Sequence, residues 1–455
     1  MPPRPRQRYP GELFWRFRGR PLQTLVELAR DVGPVTHFTL GRQVLYTINE
    51  PDLIRDVLVT HDKCFKKGRA LERARRMLGE GLVTSEGELH RRQRRLMQPA
   101  FHKQRIAAYA EVMVRRAREA TRLWTDGGEI EAHAEMNELA LEIVAETLFG
   151  SFVENDASAV REALLETMRS MSIFAPPLAD LLDYLPLPSV LRFRRARARL
   201  DAVMFRLIDE HRRGLGRPDD LLSLLLSARD EEASDAAAST GMTDTQVRDE
   251  AMTIFLAGHE TTANALTWTW YLLSQNPAIE ARWHAELDTV LGGRPPTLDD
   301  LPALVYTRQI LAESMRLYPT AWTLGRRCLR AVQIGPYLVR PRDIVMMSQI
   351  VVHRDPRFWP DPERFDPERF TPEAEQERPR FAYFPFGGGS RVCIGESYAW
   401  MEGILVLATI GQRWRLRLVP EQRVEMLVHI TLRPSHGLRI VTERRHDAPR
   451  SVAWR

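Results

Sequence analysis

Hydrophobic residues along the chain follow two different periods. Residues 35–48 (VTHFTLGRQVLYTI) alternate and are rich in β-branched side chains, which predicts a pair of strands. From about residue 51 to 317, apolar residues recur every three or four positions, as in EMNELALEIVAETLFG (135–150), which predicts helices. Short β-like runs and proline-rich coil follow. The pattern predicts a mainly α protein with a smaller β region.

The longest predicted helix covers residues 244–275 and ends at QNP. An acidic linker of small residues, EEASDAAASTG (231–241), precedes it, and the following residues suit a helix start. The proline-rich segment 175–188 predicts a loop between two helices. No internal repeat is visible, so we expect one mixed domain over residues 1–455.

Composition narrows the class of protein. Apolar residues make up 44% and charged residues 27% of the chain, which is typical of a soluble globular protein. The net charge of +5 is mixed with acidic residues, which does not favour nucleic-acid binding. No window approaches the ~18 apolar residues of a membrane span, and no signal peptide is visible. We therefore expect a cytoplasmic protein without a membrane anchor.

The three cysteines, Cys64, Cys328 and Cys393, lie far apart, which disfavours a disulfide scaffold or a CxxC zinc site. Cys393 has unusual neighbours, FPFGGGSRVCIGE, and precedes a predicted helix. Glycines let a bulky group approach the backbone, and Arg391 supplies a cation for an anionic group. A core filler, a redox thiol, a nucleophile and a metal ligand are all open to a cysteine. This setting favours haem with an axial cysteine ligand.

The run FGGGSRVCIG resembles the cysteine-ligand loop of the cytochrome P-450 family, the haem-thiolate monooxygenases. The agreement covers Phe386, Gly387, Gly389, Arg391, Cys393 and Gly395, and continues to Ala399 and Glu402. The resemblance implies the cytochrome P-450 fold, with haem b (iron protoporphyrin IX) sandwiched between a long distal helix and the helix after the cysteine loop. It makes Cys393 the axial iron ligand, with cofactor contacts from Phe386, Gly387, Arg391 and Gly395.

The segment AGHETT, Ala257–Thr262, places polar residues inside the apolar long helix. Buried polar groups cost energy unless they are partnered, and such conflicts gather at functional sites. A threonine hydroxyl bonded back to the Ala257 carbonyl would bend the helix. The resemblance implies that Glu260 and Thr261 deliver protons during oxygen activation. It also implies that Ala257 and Gly258 form a notch beside the haem.

The segment ESMR places Glu313 and Arg316 at i, i+3, a spacing common in surface pairs. The family resemblance gives this pair another role, because it matches the E-x-x-R motif. The implied role is structural, a buried network that holds the cysteine loop. Its partner is an arginine of a PERF segment, here Arg369, with Arg364 of the duplicated segment as the alternative.

The segment EGELHRRQRRLMQPAF places His90 and Arg94 on one helix face. The family usually has W-x-x-x-R here, and both residues bind a haem propionate, so this chain departs by having His for Trp. The resemblance also implies propionate binding by Arg327, with Arg326 left open. A solvated basic helix is the ordinary alternative for this segment.

The resemblance implies a monooxygenase that hydroxylates or epoxidises a hydrophobic small molecule such as a fatty acid, a terpenoid or a steroid-like compound. Its motifs look closest to the fatty-acid hydroxylase and eukaryotic-like branch. The expected pocket draws on residues near 65–83, on the proline-rich stretch 168–188, and on individual side chains further along the chain. Those side chains are Phe255, Ala321, Trp322, Leu324 and Ile430.

Only about 60 residues follow Cys393, so we expect no fused reductase. Electrons from NAD(P)H would then reach a monomer through a separate ferredoxin or flavodoxin and its reductase. Two other functions remain open. A peroxide-dependent peroxygenase or isomerase would commonly lack the acid–alcohol pair present at Glu260 and Thr261. A haem carrier or gas sensor would not need that pair.

Overall fold

The computed structural model describes residues 1–102, 107–150, 187–218, 220–229 and 241–445, together with Ala163 and Glu166. Most of the proline-rich segment and residues 231–240 of the acidic linker therefore lie outside the described residues. The chain divides into two compact units. One unit comprises Met1–Gly68, Met113–Asn137 and Thr261–Arg455, and the other comprises Arg69–Val112 and Glu138–Glu260. The expectation of one domain stays a prediction.

Helices dominate the described residues, as the apolar period predicts. They are α1 (Glu12–Gly19), α2 (Pro21–Asp31), α3 (Pro51–Arg55), α4 (Arg69–Leu78), α5 (Gly87–Met97), α6 (Tyr109–Ala120), α7 (Ala132–Phe149), α8 (Pro188–Arg212), α9 (Leu221–Ser227), α10 (Asp244–Gln275), α11 (Pro277–Leu291), α12 (Val305–Leu317), α13 (Gln349–Val352), α14 (Pro372–Glu377) and α15 (Glu396–Gly411). The long helix predicted at 244–275 is confirmed as α10. No described helix combines the length and the apolar content needed to cross a membrane.

The strands lie mainly near the two ends of the sequence. They are β1 (Val35–Leu40), β2 (Gln43–Ile48), β3 (Phe65–Lys67), β4 (Gly128–Glu131), β5 (Leu324–Cys328), β6 (Val332–Ile334), β7 (Tyr337–Val339), β8 (Ile344–Met347), β9 (Trp414–Leu418), β10 (Met426–Val428), β11 (Leu432–Pro434) and β12 (Arg439–Arg444). The strand pair predicted at 35–48 is confirmed, because β1 and β2 pair antiparallel.

The first unit contains a five-stranded sheet in the order β1-β2-β8-β5-β3, in which β2 and β8 run parallel. A three-stranded sheet, β4-β12-β9, and the hairpins β6-β7 and β10-β11 complete its β structure. Apolar residues such as Tyr46, Phe65 and Val345 form a buried cluster with the five-stranded sheet. This sheet carries β3 and β5, which bring basic residues beside the cysteine loop.

Two helices of the first unit are almost entirely buried. Every residue of α12 from Tyr306 onward except Arg308 is buried, and so is α15 from Met401 to its end. Gly403 permits their close approach, since a Cβ at this position would lie 2.5 Å from Leu311 Cδ2. The helix that follows the cysteine loop is therefore fixed against the helix that carries ESMR.

The second unit contains α4, α5, α8, α9 and the first half of α10. Apolar residues of α4 pack with Phe193 of α8. Arg248 of α10 is buried and donates from Nε to Asp201 of α8 at 2.7 Å. The next two residues accept from backbone amides, Asp249 from Glu80 and Glu250 from Leu82. Charged groups at the start of α10 thus fix the helix before the AGHETT segment.

Candidate active site

The cysteine loop is closed by its own backbone. The amide of Cys393 donates to the Phe386 carbonyl at 3.0 Å, and the amide of Gly387 donates to Phe384 at 3.0 Å. The predicted following helix is confirmed as α15, which begins at Glu396. Cys393 therefore precedes a helix N-terminus, where the backbone dipoles favour a thiolate.

Two glycines of the loop adopt backbone angles that other residues rarely take, with φ of 74° at Gly387 and 70° at Gly389. Gly389 is also pressed against a neighbouring segment, because a Cβ there would lie 1.8 Å from the Leu58 carbonyl oxygen. At Gly387 the nearest atom, in the Leu324 side chain, would be 3.5 Å away. Conformation explains both glycines, and close packing adds a second reason at Gly389.

Cys393 is the exposed cysteine, whereas Cys64 and Cys328 are buried. Burial raises the pKa of Cys328 to about 11, which keeps that side chain a neutral thiol. Only a thiol that reaches outside the packed core is open to a ligand of haem size. Phe386 packs beside the same loop, with its ring centroid 5.9 Å from that of Trp400. The loop thus presents one cysteine on a rigid backbone.

Arg391 ties the loop to the segment before β3. Its Nη2 donates to the Phe65 carbonyl at 3.1 Å, and its Nη1 donates to the Asp62 carbonyl at 3.4 Å. Both bonds position the guanidinium by backbone acceptors. The contact with Phe65 also brings the loop beside β3, which pairs with β5.

A buried basic pair lies on β3 and β5; Arg326 was left open from the sequence, and Lys67 was missed. Lys67 stands opposite Arg326 in the strand register, and both are only 6% exposed. Arg327 stands opposite Lys66 on the other face, and both are half-buried. Strand β3 has three residues and no visible period, so the sequence gives no sign of which face its lysines take. The assignment of Arg327 to a propionate stays a prediction.

These residues fit haem. An exposed cysteine on a glycine-bearing loop suits an axial thiolate, and buried cations suit the carboxylates of the porphyrin. The described residues contain no cluster of three or more His, Cys, Asp or Glu side chains that could hold a metal ion by themselves. A single cysteine ligand accords with an iron held by a porphyrin.

Glu313 and Arg316 of α12 are both completely buried. Arg316 donates from Nε and Nη2 to the two Glu313 oxygens at 2.6 and 2.8 Å. It also donates from Nη1 to the carbonyls of His353 at 2.8 Å and Pro362 at 2.7 Å. Burial raises the pKa of Glu313, and the Arg316 guanidinium opposes that shift. This pair is a buried network and not the surface pair that its spacing alone favours.

The two PERF segments supply different arginines. Arg369 Nε lies 3.4 Å from Glu313 Oε1, and the Asp366 amide donates to the same oxygen at 2.9 Å. The Arg364 side chain is 66% exposed and contributes its backbone carbonyl, which accepts from Arg316 at 3.1 Å. The structure therefore brings the Arg369 side chain to the network.

The middle of α10 is buried except on one face. Ala257 is exposed and Gly258 and Thr261 are half-buried, while Glu260 is buried. Positions 257, 258 and 261 lie within about 100° of one another around a helix. The AGHETT segment thus presents two small residues and a hydroxyl on one face.

Gly258 also has a packing role. A Cβ at this position would lie 3.2 Å from Val144 Cγ2 of α7, a tight contact between helices. The bond predicted from Thr261 to the Ala257 carbonyl stays a prediction. Bonds of that kind do occur further along α10, where Thr267 and Thr269 donate to the carbonyls four residues earlier, each at 2.7 Å.

A buried carboxyl on α15 faces the residue after Thr261. Glu402 is completely buried, and burial raises its pKa to about 8, a shift that the Thr262 hydroxyl opposes. The cysteine-loop helix and the second half of α10 therefore approach each other through a polar contact. In the sequence, Glu402 agrees with the family motif, but the resemblance implied no role for it.

The remaining predicted residues lie on several elements. His90 is buried and Arg94 half-buried on α5, which confirms the predicted helix. Phe255 is buried within α10, with its ring centroid 5.9 Å from that of His259. Ile430 is 58% exposed. The roles of these residues stay predictions.

Part of the predicted pocket comes together in the first unit. Trp322 Nε1 donates to the His429 carbonyl at 3.1 Å, and the Leu432 amide donates to the Thr320 carbonyl at 3.0 Å. Ala321 and Leu324 flank Trp322 and are half-buried. The segments around residues 321 and 430 are therefore neighbours, and their role in a substrate pocket stays a prediction.

An exposed thiol on a glycine-bearing loop, buried cations and a buried Glu–Arg network are the features of a haem-thiolate protein. The family model described as cytochrome P-450 matches residues 1–440. The chain therefore belongs to the cytochrome P-450 family.

Known proteins resemble the chain over nearly its whole length. It is 40% identical to cyclooctatin synthase of Streptomyces melanosporofaciens, over 94% of this chain and 92% of that protein. It is 36% identical to pentalenene oxygenase of Streptomyces avermitilis, over 94% and 93%. The solved structure of the cytochrome P450DA heme domain matches with a TM-score of 0.88 and 26% identity, over 99% of both chains. The predicted family, fold class and haem-thiolate monooxygenase function are confirmed.

Proposed function

We propose that the chain hydroxylates or epoxidises a cyclic terpenoid. The observation that carries this proposal is a sequence identity of 36–40%, over 90% or more of the chain, to enzymes whose names specify such compounds. Besides the two relatives above, cyclooctat-9-en-7-ol 5-monooxygenase of Streptomyces melanosporofaciens is 39% identical over 90% of this chain. Fatty acids and steroid-like molecules are less favoured, because none of these three names refers to them.

The described pocket segments support an apolar substrate. Asn264 of α10 donates to Thr431 Oγ1 at 3.3 Å, and Trp268 Nε1 donates to the Leu432 carbonyl at 3.2 Å. These bonds hold the 429–432 segment, and with it Trp322, beside the second half of α10. Their polar groups are used within the protein, which leaves an indole face and aliphatic side chains for the substrate. Such a wall binds a hydrocarbon and excludes water.

Haem b, when bound, supplies the oxidising chemistry. Cys393 would hold its iron through the thiolate. We assign the carboxylates of the porphyrin to Arg391, His90, Arg94 and Arg327, and add the buried pair Lys67 and Arg326. Phe386, Gly387 and Gly395 give the loop the shape that a flat group needs.

Proton delivery falls to the acid–alcohol pair of α10. Thr261 Oγ1 would donate a hydrogen bond to the dioxygen substrate, next to the space left by Ala257 and Gly258. The Glu260 carboxyl would return a proton to that hydroxyl. Both side chains come from one helix, so their relative position is set by its backbone.

Electrons would come from NAD(P)H through a separate ferredoxin or flavodoxin and its reductase in the cytoplasm, with the chain acting as a monomer. An acidic carrier would suit the basic residues of α5, Arg91, Arg92 and Arg95. Arg91 is exposed and pairs with Glu88. Charge reversal at Arg91 and Arg95 should slow reduction of the protein, and an unchanged rate would rule out this docking site.

The test combines substrate binding with turnover. Holoenzyme is titrated with a cyclic terpene, a fatty acid and a steroid, and the spectral change of the haem is recorded. It is then supplied with NAD(P)H, ferredoxin and reductase, and products are identified by mass spectrometry. We expect a spectral change and a product with one added oxygen atom for the terpene. Turnover of the fatty acid but not of the terpene would contradict the proposed substrate class. Product formation with peroxide but not with the electron carriers would establish a peroxygenase.

A further inference from the structure

The net positive charge of the chain comes from one short segment. Residues 1–20 contain six arginines and one glutamate, so this segment accounts for the formal net charge of +5 of the whole chain. Residues 21–455 are balanced between acidic and basic side chains. The first 20 residues therefore differ electrostatically from everything that follows.

Helix α1, in this segment, has an inner and an outer face. Leu13 is buried, and Phe17 stacks on Phe38 of β1 with ring centroids 5.3 Å apart. These two residues hold the inner face against the protein. Phe14 and Trp15 lie on the outer face in edge contact, with ring centroids 5.5 Å apart.

The outer face exposes aromatic rings to an unusual degree. Trp15 is 61% exposed and Tyr9 is 53% exposed. Within the described ranges, Trp15 is the only exposed tryptophan, and Phe205 is the only exposed aromatic residue outside this segment. Apart from Phe205, the aromatic side chains described outside residues 1–20 are buried or half-buried. Three exposed rings within one short segment therefore indicate a surface that meets another phase or molecule.

The six arginines of residues 1–20 fall into two groups. Arg16 and Arg20 pair with Glu27 of α2, and Arg4 donates to His37. Arg6, Arg8 and Arg18 are exposed and make no ion pair with any residue that the structure describes. Three exposed cations therefore lie in the same 20-residue segment as the exposed rings.

We propose that Tyr9, Phe14 and Trp15, with Arg6, Arg8 and Arg18, form a docking face for the surface of an anionic lipid bilayer. Tyrosine and tryptophan favour the interface between headgroups and acyl chains, and arginine is attracted to anionic headgroups. Helix α1 has eight residues, so it would lie along the surface and not span it. The proposal stands independently of the substrate assignment.

Other occupants fit this face less well. A second copy of the chain, bound through the same face, would bring the positive charges of both copies together. An acidic protein would meet the arginines but would not require three exposed rings. An apolar substrate that concentrates in bilayers would reach the enzyme more readily from a membrane surface.

The test is co-sedimentation of the haem-loaded full chain with vesicles. One vesicle set contains phosphatidylcholine alone, and the other contains phosphatidylcholine with phosphatidylglycerol. We expect binding to the anionic set that weakens with salt. Replacing all three arginines by Gln (R6Q, R8Q, R18Q) should weaken partitioning about a hundredfold, roughly fivefold for each arginine. The double variant F14S/W15S should weaken it about tenfold or more.

Matched controls separate this face from general charge and apolarity. Exposed arginines elsewhere are replaced in R122Q/R342Q/R423Q, and the exposed aromatic outside the face is replaced in F205S. Both should bind as the parent does, and every variant should keep the absorption spectrum of the haem. Absence of binding to anionic vesicles would overturn the proposal. An equal loss of vesicle binding in R6Q/R8Q/R18Q and R122Q/R342Q/R423Q would also overturn it. Loss with the arginines but not with F14S/W15S would show attraction to anionic headgroups without any part for the rings, and would overturn the proposed docking of Tyr9, Phe14 and Trp15.

Discussion

The cysteine loop and the middle of helix α10 both carry residues that we assign to the site, but their backbones are held in different ways. The loop depends on backbone bonds of its own and on Gly389, which touches the Leu58 carbonyl. The AGHETT segment is part of a regular helix, whose backbone bonds do not depend on its polar side chains. Changes in the loop should therefore damage the structure, whereas changes at Thr261 should alter the chemistry and leave the fold intact.

The largest effect is expected behind the loop, at the buried ion pair. Arg316→Met removes the bidentate partner of the buried Glu313 and leaves it only the longer contact with Arg369. The loss should lower the free energy of unfolding by about 3–5 kcal/mol. Denaturant unfolding measures it. The control is Arg115→Met, which breaks an exposed pair with Glu119 and should cost about 1 kcal/mol or less. Equal losses in the two variants would mean that the buried network does not hold the fold.

The next effect distinguishes two glycines of the loop. Both have positive φ, which costs another residue about 1–2 kcal/mol. Gly387→Ala should lose only that amount. Gly389→Ala should lose about 1–3 kcal/mol more, because its Cβ meets the Leu58 carbonyl. Thermal unfolding of the two holoenzymes gives the comparison. Equal stability of the two variants would show that the contact at Leu58 does not constrain the loop.

A substitution in the middle of helix α10 should lower activity and leave stability unchanged. Thr261→Val removes the hydroxyl assigned to proton delivery, which should lower product formed per electron about a hundredfold. The unfolding midpoint should hardly change. Thr269→Val is the matched control, since that hydroxyl bonds to the Ala265 carbonyl within the same helix. A similar loss of activity in both variants would contradict the special role of Thr261.

The smallest effect, taken over a single pH unit, is expected where α10 meets α15. The pKa of Glu402 is about 8 in the folded protein, above the ordinary carboxyl value of 4.5. The folded state therefore retains a proton that the unfolded state releases. This carboxyl lowers stability progressively as pH rises from about 5 to 8, by at most about 1.4 kcal/mol per pH unit.

Glu402→Gln should remove this slope, and denaturant unfolding at several pH values measures it. Replacing the exposed Glu88 by Gln is the control and should leave the slope unchanged. A slope that survives in Glu402→Gln would show that another group is responsible.

Much of this organisation could be predicted from the sequence where local patterns determine it. The strand pair at 35–48, the helix at 244–275 and the helix after Cys393 follow from periodicity and turn residues. The cysteine loop was found because its glycines, Arg391 and Cys393 together resemble the cysteine-ligand loop of the cytochrome P-450 family. The E-x-x-R pair required the family resemblance, since spacing alone favours a surface pair.

Other features depend on register and distant contacts. The buried face of β5 carries Arg326 because β3 pairs with it in one particular register. Lys67 joins that face from a strand too short to show a period. The Glu402–Thr262 contact depends on how two separate helices meet. The hydrophobic pattern of a single segment cannot predict these contacts, because they depend on which strand or helix it meets.

The most direct test of the whole account is the spectrum of the reduced protein under carbon monoxide. We predict the strongly red-shifted Soret band of a thiolate-ligated haem for the parent chain and for Cys64→Ser, and its loss in a folded Cys393→Ser variant that still binds haem. A folded parent protein without that band, or a Cys393→Ser variant that retains it, would contradict ligation by Cys393.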